Sequence, residues 1–99
     1  MRVRFSEEAE RDLFRIGEFI AEDSALRALK FVRALRGRAL LIGDTPLAYP
    51  LIPRFAAQGV RRRVYRDYLI FYRVEADAVQ IIHILHGAQD YERLLGPRE

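Results

Sequence analysis

The sequence predicts an α+β domain: a helical hairpin packed on a small antiparallel sheet, in the order β-α-α-β-β-β. Three observations carry this. Two successive stretches, within residues 9–20 and 25–42, repeat apolar residues at helical spacing. A short alternation of Val3 and Phe5 with Arg2 and Arg4 precedes them. Three β-like runs follow, and the last two lie four residues apart across Glu75-Ala76-Asp77-Ala78. The 99 residues make one domain, 1–99, and 51% hydrophobic residues supply a core without covalent staples.

The opening alternation reads as a half-buried strand. Ser6 then caps a helix over about residues 6–22, with Glu7, Glu8 and Glu10 in the first turn where the helix dipole favours negative charge. Its apolar stripe is Ala9, Leu13, Ile16, Gly17 and Ile20. Asp23-Ser24 breaks that pattern and caps a second helix. Its stripe runs through Ala25, Ala28, Leu29, Val32, Leu35, Ala39 and Ile42, ending near Gly43 as a C-terminal glycine. A two- or three-residue link forces the helices into an antiparallel hairpin. Residues 44–58, with Pro46, Pro50 and Pro53, form an irregular connection. A strand follows over 60–64, Arg66-Asp67 turns the chain, and runs at 68–74 and 79–85 complete a meander. The last two strands are apolar on both faces, which places them centrally and buries Ile70 and Ile81. Tyr91 to Leu95 closes the fold with one helical turn.

Composition excludes several classes. With no cysteine there are no disulfides or thiolate metal sites, and too few suitable ligands remain for any metal centre. No apolar run approaches the roughly 18 residues of a membrane span, and the N-terminus lacks a signal-peptide segment. The expectation is a cytoplasmic protein without cofactor. Charge is uneven. Residues 1–23 hold four basic and seven acidic side chains; residues 24–63 hold nine basic and one acidic, Asp44. A basic region of this kind suits an acidic or polyanionic partner.

Four constellations stand out. Arg61-Arg62-Arg63 with Arg66 and Arg73, interleaved with Tyr65, Tyr68 and Tyr72, is the densest basic cluster. It fits a solvated strand edge, a surface for an acidic protein, or a nucleic-acid track. Alternation sets Arg61 and Arg63 on one face, opposite Arg62. Phe14 and Phe19 flank the first helical stripe and Phe31 edges the second. They serve either as rim packing or as a groove for an amphipathic helix. His83 and His86 lie three apart on a strand and cannot form a pair on one face, which favours a structural role; His86 belongs at a strand end as a hydrogen-bonding group. Arg36 falls inside the second apolar stripe and needs a carboxylate partner or a route to solvent.

Four segments carry a family resemblance. Phe5-Ser6-Glu7-Glu8-Ala9-Glu10-Arg11-Asp12-Leu13 is similar to the strand and Ser-x-Glu-Ala-x-x-Asp-Leu opening of the RelE/ParE toxins. The run Tyr68 to Val74, then Leu85-His86-Gly87-Ala88-Gln89-Asp90, resembles the C-terminal signature of their ParE branch. Asp44-Thr45-Pro46 sits where the family often has a phenylalanine-proline turn. RelE-like members are ribosome-dependent mRNA endonucleases, and their chemistry needs cations around a pentavalent phosphate. ParE-like members are implied to poison DNA gyrase. The nuclease arginine after the tyrosine that opens the third strand falls at Leu69, and a second falls near Gln89. Leucine cannot neutralise phosphate, and both losses point to the ParE branch. Gln89 also stands where the ParE motif commonly has arginine.

The resemblance therefore implies a toxin that is not itself an enzyme, neutralised by a ParD-like antitoxin. The alternatives are a RelE-like ribonuclease and a non-toxic antitoxin-binding module. Phe14, Phe19, Phe31, Arg61 and Arg63 are the expected antitoxin contacts. Arg62, Arg73, His86 and Gln89 are the expected target contacts.

Overall fold

The computed structural model describes residues 1–96. Strand β1 (Arg2–Phe5) leads into α1 (Glu7–Ala21) and α2 (Ala25–Leu41). Short 3-10 turns at Ile42–Asp44 and Pro53–Gln58 interrupt the connection to β2 (Arg61–Tyr65). Strands β3 (Tyr68–Val74) and β4 (Ala78–His86) follow, and α3 (Tyr91–Leu95) ends the fold. The expected order of elements holds throughout.

Both helix starts are capped as the sequence requires. Ser6 Oγ accepts from the Ala9 amide at 3.0 Å, and Ser24 Oγ accepts from the Arg27 amide at 3.2 Å. Ser6 Oγ also donates to the Ile82 carbonyl at 2.9 Å, which ties the start of α1 to β4.

The sheet order is β1-β4-β3-β2, so the two doubly apolar strands are indeed central. The expected antiparallel sheet is in fact mixed: β2, β3 and β4 form an antiparallel meander, but β1 pairs with β4 in parallel, Arg2 opposite Ala78 and Phe5 opposite Ile81. The cause is the helical hairpin. It returns the chain to the start of β1, where the Met1 ammonium donates to the Gly43 carbonyl at 2.8 Å. A chain restarted from that end runs β2 in the direction of β1, and two tight reversals give β4 that direction again.

Gly43 earns its place differently from the helix-capping role expected of it. Its φ is not left-handed, but an added Cβ would collide with the Met1 carbonyl oxygen. Close approach of β1, rather than a cap, requires glycine there.

The core has two parts. Ala9, Leu13, Ile16, Leu35, Ala39 and Ile42 from the helices meet Ile70, Tyr72, Val79, Ile81 and Ile84 of the sheet. On the far face Ile52, Phe55 and Val60 cover Phe71 and Leu85, joined by Tyr91 and Leu95 from α3. The connection is therefore not a bare loop: it is the third layer, and it explains why the central strands are apolar on both faces.

Candidate functional site

The outward side of the hairpin is a shallow apolar groove of about 380 Å³, lined by Phe14, Gly17, Ala21, Ala25, Leu29 and Val32 among others. Gly17 lets the helices approach, since a Cβ there would meet Val32 Cγ2 at 3.3 Å. Phe14 is 68% exposed and Phe19 70% exposed, both far from the burial typical of phenylalanine. Phe19 borders a neighbouring depression with Ile20, Glu22, Asp23 and Arg27. Phe31 does not join them. It points to the sheet and packs against Tyr65 and Tyr68, with ring centroids 6.0 and 5.5 Å away.

The arginines of β2 divide as alternation requires. Arg61 and Arg63 pair across β2–β3 with Tyr72 and Ile70, on the helix side; Arg62 pairs with Phe71, on the far side. Arg61 donates to the Tyr49 carbonyl at 2.6 Å and Arg63 to the Arg38 carbonyl at 3.0 Å. The Arg63 guanidinium also lies over the Tyr49 ring at 5.0 Å. These two arginines close the side of the core as well as presenting charge. The Arg62 amide donates to the Pro50 carbonyl at 3.2 Å, so the β2 edge is partly covered at its start.

The expected target contacts are not one cluster. Arg73 lies two residues beyond Phe71 on β3, on the far face with Arg62. His86 pairs with Tyr68 on the helix side, ring centroids 5.2 Å apart, edge to face. It does bond at the strand end: Gln89 Oε1 accepts from the His86 amide at 2.9 Å, and His86 Nδ1 accepts from the Ala88 amide at 3.1 Å. Gln89 is thus occupied in a local turn, and Leu69 packs into the far-face core.

Sequence reasoning missed Asp12. It is 5% exposed, within the apolar stripe between Ala9 and Leu13. β1 ends opposite Ile81, so beyond that point β4 has no strand neighbour on this side. Asp12 replaces it: one carboxylate oxygen accepts from the Ile84 amide at 2.9 Å and meets His83 Nδ1 at 2.8 Å. Arg15 approaches the other oxygen at 3.8 Å. A carboxylate at buried helical spacing was the available signal; Arg36 was noticed on the same grounds. Arg36 forms a two-point ion pair with Glu10, at 2.6 and 3.1 Å, with its guanidinium 4.8 Å over the Phe5 ring. That contact lowers the Glu10 carboxyl below its ordinary range.

Burial raises the Tyr72 phenol above its ordinary range, against the opposing pull of Arg61, and its hydroxyl donates to the Pro46 carbonyl at 2.7 Å. Burial, with Asp67, raises Tyr68 too. Phenols raised in this way are not bases near neutral pH. Among the described residues no three His, Asp or Glu side chains gather as a metal site, and no helix is long and apolar enough to cross a membrane.

The sequence matches the model of the ParE toxin of type II toxin–antitoxin systems, parDE, over residues 3–91. This chain belongs to the ParE toxin family. Two solved structures share the ParE-like fold. One is the chromosomal ParDE toxin–antitoxin system of P. aeruginosa, with TM-score 0.73 and 19% identity over 87% of this chain and 95% of that one. The other is the toxin–antitoxin complex RelBE2 of Mycobacterium tuberculosis, with TM-score 0.65 and 22% identity over 86% and 95%. No curated protein matches this ParE-family sequence.

Proposed function

We propose that this ParE-family toxin is held inactive by a ParD-like antitoxin and, when free, inhibits DNA gyrase without being an enzyme itself. The observation that carries the antitoxin half is the exposed groove around Phe14, which needs an amphipathic helix to cover it. The cationic edge at Arg61 and Arg63 suits an acidic extended segment of the same antitoxin.

The non-enzymatic half rests on side chains. Cleavage of RNA needs cations to stabilise the charge that develops on phosphate. At the position where nuclease members of the fold would place the arginine after the strand-opening tyrosine stands Leu69, packed against the far-face core. Tyr68 and Tyr72, raised by burial, make poor proton acceptors.

The test is induction of the chain alone and then with the antitoxin encoded beside it. Growth arrest with a DNA-damage response, relieved by the antitoxin, and loss of supercoiling by purified gyrase are the expected outcomes. Codon-position-specific mRNA cleavage on ribosomes would replace this reading with the ribonuclease one. Absence of toxicity would leave an antitoxin-binding module.

A further inference from the structure

A separate depression lies between α2 and the β2–β3 turn. Its volume is about 430 Å³; Ile20, Phe31 and Tyr65 form its floor, and Arg27, Lys30 and Arg66 stand at its rim. The floor is fixed, because Phe31 is wedged against Tyr65 and Tyr68. The rim is only partly neutralised. Arg27 reaches Asp23 at 3.3 Å, whereas Lys30 and Arg66 meet no carboxylate within 4.0 Å among the described residues.

Arg66 is the informative residue. Its φ is 55°, and it is the one non-glycine with positive φ among the described residues. The two-residue turn Arg66-Asp67 between β2 and β3 demands that conformation. Glycine would adopt it freely, whereas an ordinary side chain there is strained. The backbone alone therefore gives no reason for arginine. The side chain does: its guanidinium lies 5.7 Å over the Tyr65 ring, on the pocket rim, while Arg38 covers the same ring at 5.1 Å.

We propose that this pocket takes one bulky apolar side chain, best an aromatic one, flanked by carboxylates, from the antitoxin segment that leaves the Phe14 groove. The proposal rests on the antitoxin reading above. Floor and rim match such a segment in polarity and charge. The route is short as well: the depression beside Phe19 shares Ile20 and Arg27 with the pocket, and its Glu22 follows Ala21 of the groove in the chain, so a segment leaving the groove can round the hairpin end to the pocket. A nucleic acid fits less well. Glu22 and Asp23 border that route and Asp67 adjoins Arg66, so a phosphate chain would meet carboxylates. A peptide can set single carboxylates at Lys30 and Arg66. Arg62 and Arg73, on the opposite face, do not extend the patch into a track.

Two variants and one titration test this. Arg66→Gly relieves the backbone and should fold at least as stably as the parent, yet bind the antitoxin about five- to tenfold more weakly; Lys30→Glu should weaken it similarly. In an amide NMR titration of the full chain, a capped Asp-Glu-Phe-Glu-Asp peptide should shift Phe31, Tyr65 and Arg66. Its alanine counterpart should not. An equal response to the alanine peptide, a stronger one to a ten-nucleotide oligo-dT, or no response at these amides overturns the proposal. If the parent binds antitoxin and both variants bind as tightly, the pocket assignment fails and the antitoxin reading stands. If the parent does not bind, the antitoxin reading fails, and the peptide titration alone decides whether the pocket takes such a segment.

Discussion

Ala9, Leu13 and Ile16 of α1 are shut against the sheet, whereas Phe14 and Phe19 on the same helix lie mostly in solvent. Both groups are apolar, and the larger residues are the exposed ones. Folding alone would favour the reverse, because burying a phenylalanine stabilises by about 1.5–3 kcal/mol. The hairpin therefore carries more apolar surface than its own fold consumes. Exposed Leu29 lines the same groove. A surplus gathered in one groove and the depression beside it is what a partner-binding face looks like, and what scattered surface apolar residues do not.

The comparison breaks first if the inner face is not the one that holds the fold. Ile70 and Ile81 are fully buried beneath it. Alanine at either should cost about 2–5 kcal/mol in chemical denaturation. A parent-like midpoint would mean that the sheet is packed otherwise. Asp12→Ala comes next. It orphans the Ile84 amide and strips His83 of its partner, at about 1–3 kcal/mol. Asp12→Asn, which keeps an acceptor oxygen, should lose less. If both variants lose equally, the negative charge rather than the hydrogen bond to Ile84 supports β4.

Much of this was legible in the chain. Ser6 and Ser24 announced the helices, and the doubly apolar runs placed β3 and β4 in the sheet centre. Periodicity speaks of which face an element buries, not of which neighbour it pairs with, so the parallel β1–β4 pairing was hidden. It follows from where the hairpin returns the chain. The far-face layer was hidden for a related reason: Ile52, Phe55 and Val60 follow no regular period. At the candidate site, alternation correctly separated Arg62 from Arg61 and Arg63. For Phe31 the stripe left rim packing and groove both open, because a stripe-edge residue can lean either way; Tyr65 and Tyr68 turn it to the sheet, out of the Phe14 groove. Asp12 was hidden by attention to apolar letters, though its spacing from Ala9 and Ile16 is that of a buried residue.

The outer face sharpens the comparison from the other side. Phe14→Ala and Phe19→Ala should leave stability within about 0.5 kcal/mol of the parent, because neither side chain is in the core. Both should speed antitoxin dissociation in surface-capture kinetics, since apolar contacts act mainly on the off-rate. Arg61→Ala with Arg63→Ala should slow association at low salt. The double change also removes two bonds to the Tyr49 and Arg38 carbonyls, so it should cost some stability. Silent phenylalanines with arginines dominant in dissociation would move the main docking site to the sheet edge.

The smallest effect tests how the inner face tolerates a charge. Arg36 interrupts the second helical stripe and escapes to Glu10 at the rim, and that hydrogen-bonded pairing holds the Glu10 carboxyl below its ordinary value. A carboxylate whose folded pKa is depressed adds stability above its unfolded pKa, about 4.3, and loses it as pH falls through the lower folded value. Arg36 stays charged throughout, so Glu10 alone sets this window. Both side chains are nearly half exposed, and solvent holds the gain to about 0–1 kcal/mol. Glu10→Gln should therefore be slightly less stable than the parent at pH 7, and the two denaturation curves should converge below about pH 4. A constant gap from pH 7 to pH 3 would show that the pair contributes through packing of Arg36 on Phe5 rather than through charge. The inner face would then accept its arginine as a cation over an aromatic ring, with Glu10 a bystander.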